Sequence, residues 1–291
     1  MSQQSVNFDQ ELKKICRLAL KEDKAQNDVT SDLTIKNDAS VSFQITAREE
    51  IILCGIEVIH HCFDELTKLK KFKNIFLGLK IKAHDGDLIK AGEPIAEGYG
   101  DAKLILAAER VILNLLQHLS GIATATHQFV KILDNEKIKI LDTRKTLPML
   151  RTLQKQAVVV GSGKNHRFNL SDMILIKDNH IAAAGSVAEA IKAAQKNKKL
   201  RIEIECDTFE QVAEAIKSSP DIIMLDNMKA DEIKKCSALI RDHKAKKILI
   251  EISGGINLSN IKDFRTLDID FISIGSLTHS VKAVDIGLDI V

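Results

Sequence analysis

A dense group of charged side chains surrounds one apolar run in the middle of the sequence. The stretch GSGKNHRFNLSDMILIKDNHI, residues 161 to 181, contains His166, Arg167, Lys177, Asp178 and His180. Its apolar residues 173–176 predict a buried strand, and Lys177 follows directly at the strand end. A lysine at the end of a buried strand is either a surface residue or a group that binds a ligand. The ends of the other strands decide between these two interpretations.

Arginine is scarce in this chain, so its placement is informative. Of the 42 basic residues only nine are Arg, and lysine serves as the ordinary surface cation. Four of the nine fall within 58 residues of each other, namely Arg110, Arg144, Arg151 and Arg167. The planar guanidinium group binds carboxylate or phosphate through two parallel hydrogen bonds. These four positions are therefore the first places to look for an anion-binding site.

The overall composition is that of an ordinary globular protein. The 291 residues are 45% hydrophobic and 28% charged, a length that suits one large or two medium domains. The net charge of +2 is too small to indicate binding to nucleic acid. The five cysteines form no CxxC pair, and the N-terminal residues lack the pattern of a signal peptide. We therefore expect a cytoplasmic protein that contacts neither a membrane nor nucleic acid.

The N-terminal part, residues 1 to 118, is predicted to form an α/β sandwich domain. Residues 8–23 have the apolar spacing of an amphipathic helix, and residues 27–32 predict a polar turn. Strand-like runs at 40–58 and 75–99 are separated by a short helix near 56–69. Residues 103–134 then predict two helices, the first ending at Gly121.

The remaining part, residues 119–291, has the alternating pattern of strands and helices that is typical of a β/α barrel. Short apolar runs recur, with helical stretches at 186–196, 208–218 and 230–243 between them. The six runs are 138–143, 173–178, 201–208, 222–227, 248–255 and 271–276. Continuously apolar strands that alternate with helices predict a parallel sheet. A closed eight-stranded barrel takes about 250 residues. We therefore predict an open barrel of six to seven strands, whose seventh strand has no clear signal, with about the last fifteen residues returning to the N-terminal domain.

Functional groups in such barrels lie at the C-terminal ends of the strands. Those ends carry Thr143, Arg144 and Lys145, then Lys177, Glu205, Asp226, the run Ser253-Gly254-Gly255, and Ser273 with Gly275. Early strands thus supply cations, middle strands carboxylates, and the last strands glycines with serine. This order matches a ligand with hydroxyl groups in its middle and a phosphate at the glycine end, where backbone N–H groups bind anions.

Each of these residues also has a purely structural interpretation. Arg144 and Lys145 would suit a solvated loop, and Gly254-Gly255 would suit a tight turn. Glu205 and Asp226 would suit the caps of the following helices. His180 and His279 are better explained by packing or capping than by catalysis. The agreement between equivalent positions on six successive strands favours a shared functional site.

Six segments together carry a resemblance to a known family. They are LDTRKTLPMLR, KNHRFNLSDMILIKDNH, IEIECDT, DIIMLDNM, IEISGGIN and FISIGSLTHS. With NDVTSD and ERVILNLLQHLSGIAT they cover nearly the whole chain, which closely resembles the nicotinate-nucleotide pyrophosphorylase (carboxylating) family, also called quinolinate phosphoribosyltransferases. The resemblance implies an N-terminal α/β sandwich and an open seven-stranded α/β barrel.

The resemblance also implies a reaction. Quinolinate and 5-phosphoribosyl-1-pyrophosphate would give nicotinate mononucleotide, pyrophosphate and carbon dioxide with Mg²⁺ as cofactor, in the biosynthesis of NAD. It further implies a homodimer in which Arg110 reaches the partner's site.

Roles follow for the residues that match the family motifs. The implied quinolinate contacts are Arg110, Arg144, His166, Arg167 and Lys177. Lys145 would lie near the pyrophosphate, and Glu205 and Asp226 would hold the ribose hydroxyls and Mg²⁺. The implied catalytic residues are Lys145, Glu205 and Asp226. The 5-phosphate would be bound by Ser253, Gly254, Gly255 and Gly275, and Thr143 and Ser273 complete the implied substrate-binding set.

Four alternatives stay open from the sequence. A homologue from a molybdenum locus, of unsettled activity, shares this architecture. A phosphoribosyltransferase for nicotinate or another base would share the fold but release no carbon dioxide. A barrel aldolase would use Lys177 or Lys145 as a Schiff base, which requires a desolvated lysine. A protein that only binds anionic metabolites would show affinity without turnover.

Overall fold

The structure, a computed structural model, describes residues 3–243 and 245–291. The helices are α1 Gln3–Glu22, α2 Val29–Thr34, α3 Glu57–Thr67, α4 Ala102–Leu133, α5 Arg151–Val160, α6 Asp178–Ala184, α7 Val187–Ala194, α8 Phe209–Lys217, α9 Ala230–Asp242 and α10 Ser276–His279. The strands are β1 Ser40–Ala47, β2 Ile51–Ile52, β3 Leu77–Ile81, β4 Leu88–Ile89, β5 Pro94–Asp101, β6 Lys139–Leu141, β7 Ile174–Ile176, β8 Ile202–Cys206, β9 Ile222–Asp226, β10 Leu249–Ser253, β11 Phe271–Ser273 and β12 Ile286–Ile290. Across these described ranges, every helix is too short or too polar to cross a membrane.

The chain divides into two compact units. The first contains the residues up to Ala125 together with Leu147–Ser162 and Ser280–Val291. The second contains Thr126–Thr146 and Gly163–His279. Each unit is therefore built from more than one stretch of the chain.

The first unit contains an antiparallel sheet of four strands in the order β12-β1-β5-β3. One face of β1 is apolar and buried through Phe43, Ile45 and Ala47, which alternate with more polar residues along the strand. β12 pairs with β1 from Phe43↔Ile290 to Ala47↔Ile286, so the end of the described chain completes this sheet. Helices α1 and α3 pack against each other.

Two local predictions in this unit were wrong. The predicted pair of helices at 103–134 is the single helix α4, which continues through Gly121. A Cβ at Gly121 would lie 2.4 Å from the carbonyl oxygen of Lys282, so glycine here allows a close backbone approach and does not end the helix. The predicted polar turn after Asn27 is the short helix α2, whose N-cap Asp28 accepts a hydrogen bond from the Ser31 N–H.

The second unit contains a parallel sheet of six strands in the order β6-β11-β10-β9-β8-β7. All six predicted strands are present, and helices α7, α8 and α9 follow the predicted helical stretches. Since side chains alternate along a strand, Glu203 and Glu205 of β8 face the side opposite to Ile202 and Ile204. The predicted open barrel is therefore confirmed.

The missing seventh strand has a counterpart next to β6. Lys164 forms a parallel bridge with Leu141. Its N–H donates to the carbonyl of Ile140 at 2.8 Å, and its carbonyl accepts from the N–H of Asp142 at 3.2 Å. This single bridge extends the sheet beyond β6 without forming a strand that the apolar pattern of the sequence could reveal.

Candidate active site

The C-terminal ends of the six parallel strands surround a cavity of about 450 Å³ in the second unit. Ten of the predicted site residues line it: Thr143, Arg144, Lys145, His166, Arg167, Lys177, Glu205, Asp226, Ser253 and Ser273. Leu175, Met224 and Glu251 also line it and were not predicted. Residues predicted from the sequence to lie at or near the strand ends therefore form most of this lining.

Two guanidinium groups give the cavity a strongly positive wall. The Arg144 Nε atom is buried and has no hydrogen-bond partner among the described residues. Arg167 donates from Nη1 to the carbonyl of Met173 at 3.2 Å. Burial and the charge of Arg144 lower the pKa of Arg167. This wall therefore carries positive charge that an anionic ligand would neutralise.

The loop after β6 is fixed by contacts with α10. The Thr143 Oγ1 atom accepts a hydrogen bond from the Lys145 N–H at 3.0 Å. The Thr278 Oγ1 atom donates to the carbonyl of Lys145 at 2.9 Å. Gly275 accepts from the Thr278 N–H at 3.1 Å at the start of α10. Thr278 was not predicted, because a backbone contact of this kind leaves no signal in the sequence.

Carboxylates also line the cavity, through Glu205 and Asp226. Single oxygen atoms of Glu205, Asp207 and Asp226 lie within 4.8 Å of one another. Mg²⁺ prefers oxygen ligands and usually retains several waters, so this donor set fits the implied ion. Burial raises the pKa of Asp207, and the charges of Asp226 and Asp178 raise it further. Such mutual repulsion is what a bound cation would relieve. Asp207 was missed because it lies two residues beyond Glu205, the predicted strand-end position.

The structure does not support the interpretation of Glu205 and Asp226 as helix caps. The side chain that caps α8 is Thr208, and α9 begins after Lys229. Glu205 instead forms an ion pair with Lys177, and Asp226 accepts a hydrogen bond from Asn227 at 2.6 Å. The predicted capping role is confirmed for His180, whose Nδ1 accepts from the Lys177 N–H at 3.0 Å.

The glycines after β10 form a turn with positive φ angles, and at Gly254 a side chain would also lack space. Gly254 has φ of +89° and Gly255 has φ of +66°. A Cβ at Gly254 would lie 2.2 Å from Asn227 Oδ1 and 2.9 Å from the Asn227 backbone nitrogen. The turn follows Ser253, which lines the cavity. The predicted tight turn is confirmed, and it directly follows a residue of the cavity lining.

A buried acidic cluster forms one wall of the cavity. His166 Nε2 lies 3.0 Å from Glu203 Oε2 and 3.6 Å from Glu251 Oε2. Burial is the main cause that raises the pKa of each of these carboxyl groups to about 8. Glu203 and Glu251 were missed, although each precedes a predicted residue by two positions on its strand. Polar residues with a period of two inside an apolar strand are the signal that could have found them.

Arg110 lies on α4, in the first unit. Its side chain is 61% exposed, and Nη2 lies 3.9 Å from Glu109 Oε1. An ion pair of this length and exposure contributes little to stability. The implied role of Arg110 in a partner's site stays a prediction.

Two domain models of one protein family together match most of the chain. The family model described as quinolinate phosphoribosyl transferase, N-terminal domain, matches residues 28–120, and that for the C-terminal domain matches residues 122–289. The chain is 44% identical over 282 residues to the "Probable nicotinate-nucleotide pyrophosphorylase (carboxylating)" of Bacillus subtilis, covering 96% of this chain and 93% of that protein. It is 38% identical over 276 residues to the nicotinate-nucleotide pyrophosphorylase (carboxylating) of Mycobacterium leprae, covering 94% and 95%.

A solved structure supports the same assignment. The nicotinate-nucleotide pyrophosphorylase of Ehrlichia chaffeensis matches with a TM-score of 0.88 and 40% identity, over 96% of this chain and 98% of that one. The fold is that of an open-barrel enzyme, with a cavity at the C-terminal ends of the parallel strands. The chain belongs to the quinolinate phosphoribosyltransferase family, whose members are pentosyltransferases.

Proposed function

We propose that this protein is a decarboxylating quinolinate phosphoribosyltransferase. It joins quinolinate to 5-phosphoribosyl-1-pyrophosphate and releases nicotinate mononucleotide, pyrophosphate and carbon dioxide. The observation that carries the proposal is the pair Arg144 and Arg167, partly buried side by side on one wall of the cavity. Two like charges with this much burial are costly unless an anion joins them. A substrate with two adjacent carboxylates supplies that anion.

Quinolinate recognition follows from the cationic side of the cavity. Arg144 and Arg167 each offer a planar fork to a carboxylate, and Lys177 adds a third positive group at the rim. Nicotinate has only one carboxylate and would leave part of this lining unpaired. A site built for a missing polar group can reject the analogue by about 10⁴-fold.

The sugar donor would be held by the other side of the cavity. Glu205 and Asp226 accept hydrogen bonds from the ribose hydroxyls, and the same carboxylates hold Mg²⁺ with Asp207 nearby. Bound Mg²⁺ supplies positive charge that stabilises the departing pyrophosphate. Lys145 lies close enough to the cavity to add a second cation there. Ser253 and the glycine turn offer backbone N–H groups to the 5-phosphate.

Catalysis in this proposal depends on position and charge. Ribosyl transfer passes through a state with positive charge at the anomeric carbon, which the carboxylates of Glu205 and Asp226 stabilise. The ring nitrogen becomes cationic once it is ribosylated. When the adjacent carbon–carboxylate bond then breaks, that positive charge stabilises the electron pair left on the ring carbon, and a proton replaces the lost carbon dioxide. Arg144 and Arg167 keep the remaining carboxylate in place.

The direct test is to supply 5-phosphoribosyl-1-pyrophosphate and Mg²⁺ with either quinolinate or nicotinate. We expect one carbon dioxide per nucleotide from quinolinate and little nucleotide from nicotinate. Equal use of nicotinate, or nucleotide formation without carbon dioxide, would identify a non-decarboxylating phosphoribosyltransferase. Binding of both substrates without any turnover would identify a binding protein.

The same assay separates the proposal from an aldolase. Imine formation at Lys177 would first have to break its ion pair with Glu205. Treatment with borohydride and a sugar phosphate should therefore leave the mass of the protein unchanged. A covalent adduct at Lys177 or Lys145 would support the aldolase.

The proposal includes a cytoplasmic homodimer. The five cysteines are free and buried, which suits a reducing compartment. The ionic neighbour of the exposed Arg110 within the described ranges is Glu109 at 3.9 Å, a distance that suits a side chain free to meet a partner subunit.

A further inference from the structure

The ring of His166 has protein groups at both of its nitrogens. Nδ1 accepts a hydrogen bond from the Arg167 N–H at 2.8 Å. Nε2 lies 3.0 Å from Glu203 Oε2 and 3.6 Å from Glu251 Oε2. A ring nitrogen that accepts a hydrogen bond carries no proton, so the ring proton belongs on Nε2, which lies beside the two acids. This arrangement defines a neutral imidazole in its Nε2–H form.

The two acids are buried in the sheet. The Glu203 side chain is 0% exposed and that of Glu251 is 1% exposed. Glu203 lies two residues before Glu205 on β8, and Glu251 lies two residues before Ser253 on β10. Burying two carboxyl groups is costly, and apolar side chains would pack the same space without that cost. Their presence therefore indicates a role beyond packing.

That role is visible in the segment that follows His166. Residues 165–167 belong to no helix or strand, so side-chain contacts must fix their position. Asp142 Oδ1 accepts from the His166 N–H at 2.9 Å and fixes the backbone before the ring. The ring then accepts the Arg167 N–H at Nδ1, while the acids lie next to Nε2 on the other side of the ring. The backbone of Arg167, from which the guanidinium extends, is thus linked to the acids through His166.

We propose that Glu203 and Glu251 are positioning residues that hold His166 as the Nε2–H imidazole and, through it, fix Arg167 for a carboxylate of the substrate. The identity of that substrate rests on the proposed function. The Nε2–H form of the imidazole ring is independent of the proposed function. The same three side chains could also surround a metal ion, since their ligand atoms lie within 4.8 Å of one another. A metal ion would bind Nε2 in place of its proton. The proton on Nε2 therefore distinguishes the proposed arrangement from a metal site.

The ring form can be measured without any substrate. The protein would be labelled with ¹⁵N-histidine, and the signals of His166 would be identified by their loss in His166→Asn. We expect a protonated Nε2 and an unprotonated Nδ1 at neutral pH. Protonation of Nδ1, or an Nε2 without a proton, would overturn the proposal. The second result together with bound metal in elemental analysis would indicate a metal site.

Kinetics then test the link to Arg167. Glu203→Leu and Glu251→Leu should each raise the KM for quinolinate by about tenfold or more, since displacement of a binding group by about 1 Å can cost 100-fold. The KM for 5-phosphoribosyl-1-pyrophosphate should change by less than about threefold. Glu203→Gln keeps an acceptor oxygen for the Nε2–H group and should recover most of the affinity for quinolinate. Equal changes for both substrates would overturn the proposal.

A matched control lies next to Glu251 on the same strand. Ile252 is 1% exposed and points to the other face of β10, so Ile252→Val should lower stability and leave both KM values unchanged. If the leucine variants do not fold, the protonation of the His166 nitrogens in the unaltered protein is the remaining test of the proposal. If the unaltered protein releases no carbon dioxide from quinolinate, the proposed function fails, and the ring measurement still stands.

Discussion

Lys177 and Glu205 form an ion pair across the neighbouring strands β7 and β8, at the rim of the cavity. The Glu205 side chain is 11% exposed and that of Lys177 is 43% exposed. The pair holds the ammonium group in place, and it also occupies a carboxylate that we assign to the sugar donor. Substrates must therefore rearrange this pair when they bind.

Removal of the Lys177 charge should weaken substrate binding with little effect on stability. We expect Lys177→Met to raise the KM for quinolinate by about tenfold or more, as loss of a charge-assisted hydrogen bond costs roughly 1.5–3 kcal/mol. The free energy of unfolding, measured in urea, should change by less than about 1 kcal/mol because the pair is partly exposed. Lys246→Met is a matched control, since Lys246 is 42% exposed and pairs with Asp221 at 2.8 Å. Similar kinetics for both variants would argue against a role for Lys177 in binding.

Asp226→Asn should separate chemistry from quinolinate binding. The change removes a charge from the carboxylate group assigned to Mg²⁺ and to the developing positive charge on the sugar. We expect turnover to fall by about 10²-fold or more, in the range seen when one stabilising group is lost. Calorimetric titration with quinolinate should give an affinity close to that of the unaltered protein. Full activity in this variant, or in excess chelator, would exclude a role for Asp226 and for the metal.

Arg110 should act in the site of a partner subunit. Arg110→Ala and Lys145→Ala should each be inactive as pure proteins. Mixing them under conditions that exchange subunits should restore part of the activity, because each hybrid dimer then contains one intact site. Native mass spectrometry would establish that hybrids have formed. Hybrids without activity would mean that Arg110 serves its own subunit or none.

The two glycines after β10 should differ in their tolerance of alanine. Both have positive φ, which costs an L-residue roughly 1–2 kcal/mol. Gly254 additionally places a new Cβ 2.9 Å from a backbone nitrogen, whereas Gly255 has open space around it. We expect Gly254→Ala to lower the free energy of unfolding by clearly more than Gly255→Ala. Equal losses in urea titrations would show that the contact with Asn227 relaxes without cost.

Glu251 should make the protein less stable as the pH rises. Burial raises its pKa from 4.5 to about 8. Between these values the folded protein keeps a proton that the unfolded chain has released, so the free energy of unfolding falls as pH increases. Glu251→Gln should show a smaller fall between pH 5 and pH 8 in urea titrations, with Ile252→Val as a control that keeps the full slope. An unchanged slope in Glu251→Gln would mean that Glu251 is ionised in the folded protein.

The parallel sheet was predictable because its strands are continuously apolar. The predicted run 222–227 corresponds to β9 at Ile222–Asp226, and 201–208 corresponds to β8 at Ile202–Cys206. Parallel strands bring their C-terminal ends to one edge, so the strand-end residues could be grouped into one site from the sequence alone. The cavity lining of Arg144, Glu205 and Asp226 follows directly from this rule.

Features that depend on distant contacts were not predictable. Gly121 suggested a helix end, but α4 continues through it, and the nearby backbone of Lys282 explains why this position is glycine. The bridge at Lys164 involves one residue pair and leaves no apolar run. Glu203 and Glu251 lie two residues before the predicted strand-end residues, and the prediction considered only the strand ends. Their function depends on His166, which is contributed by a loop.

The pairing of β12 with β1 bears on the order in which the chain folds during synthesis. The sheet of the first unit lacks an edge strand until residues 286–290 have left the ribosome. All strands of the second unit have emerged by then, since the last of them ends at Ser273. The second unit can therefore mature first, although its residues are made later than most of the first. Until then β1 presents an open edge on a nascent chain, which is the kind of surface that chaperones protect.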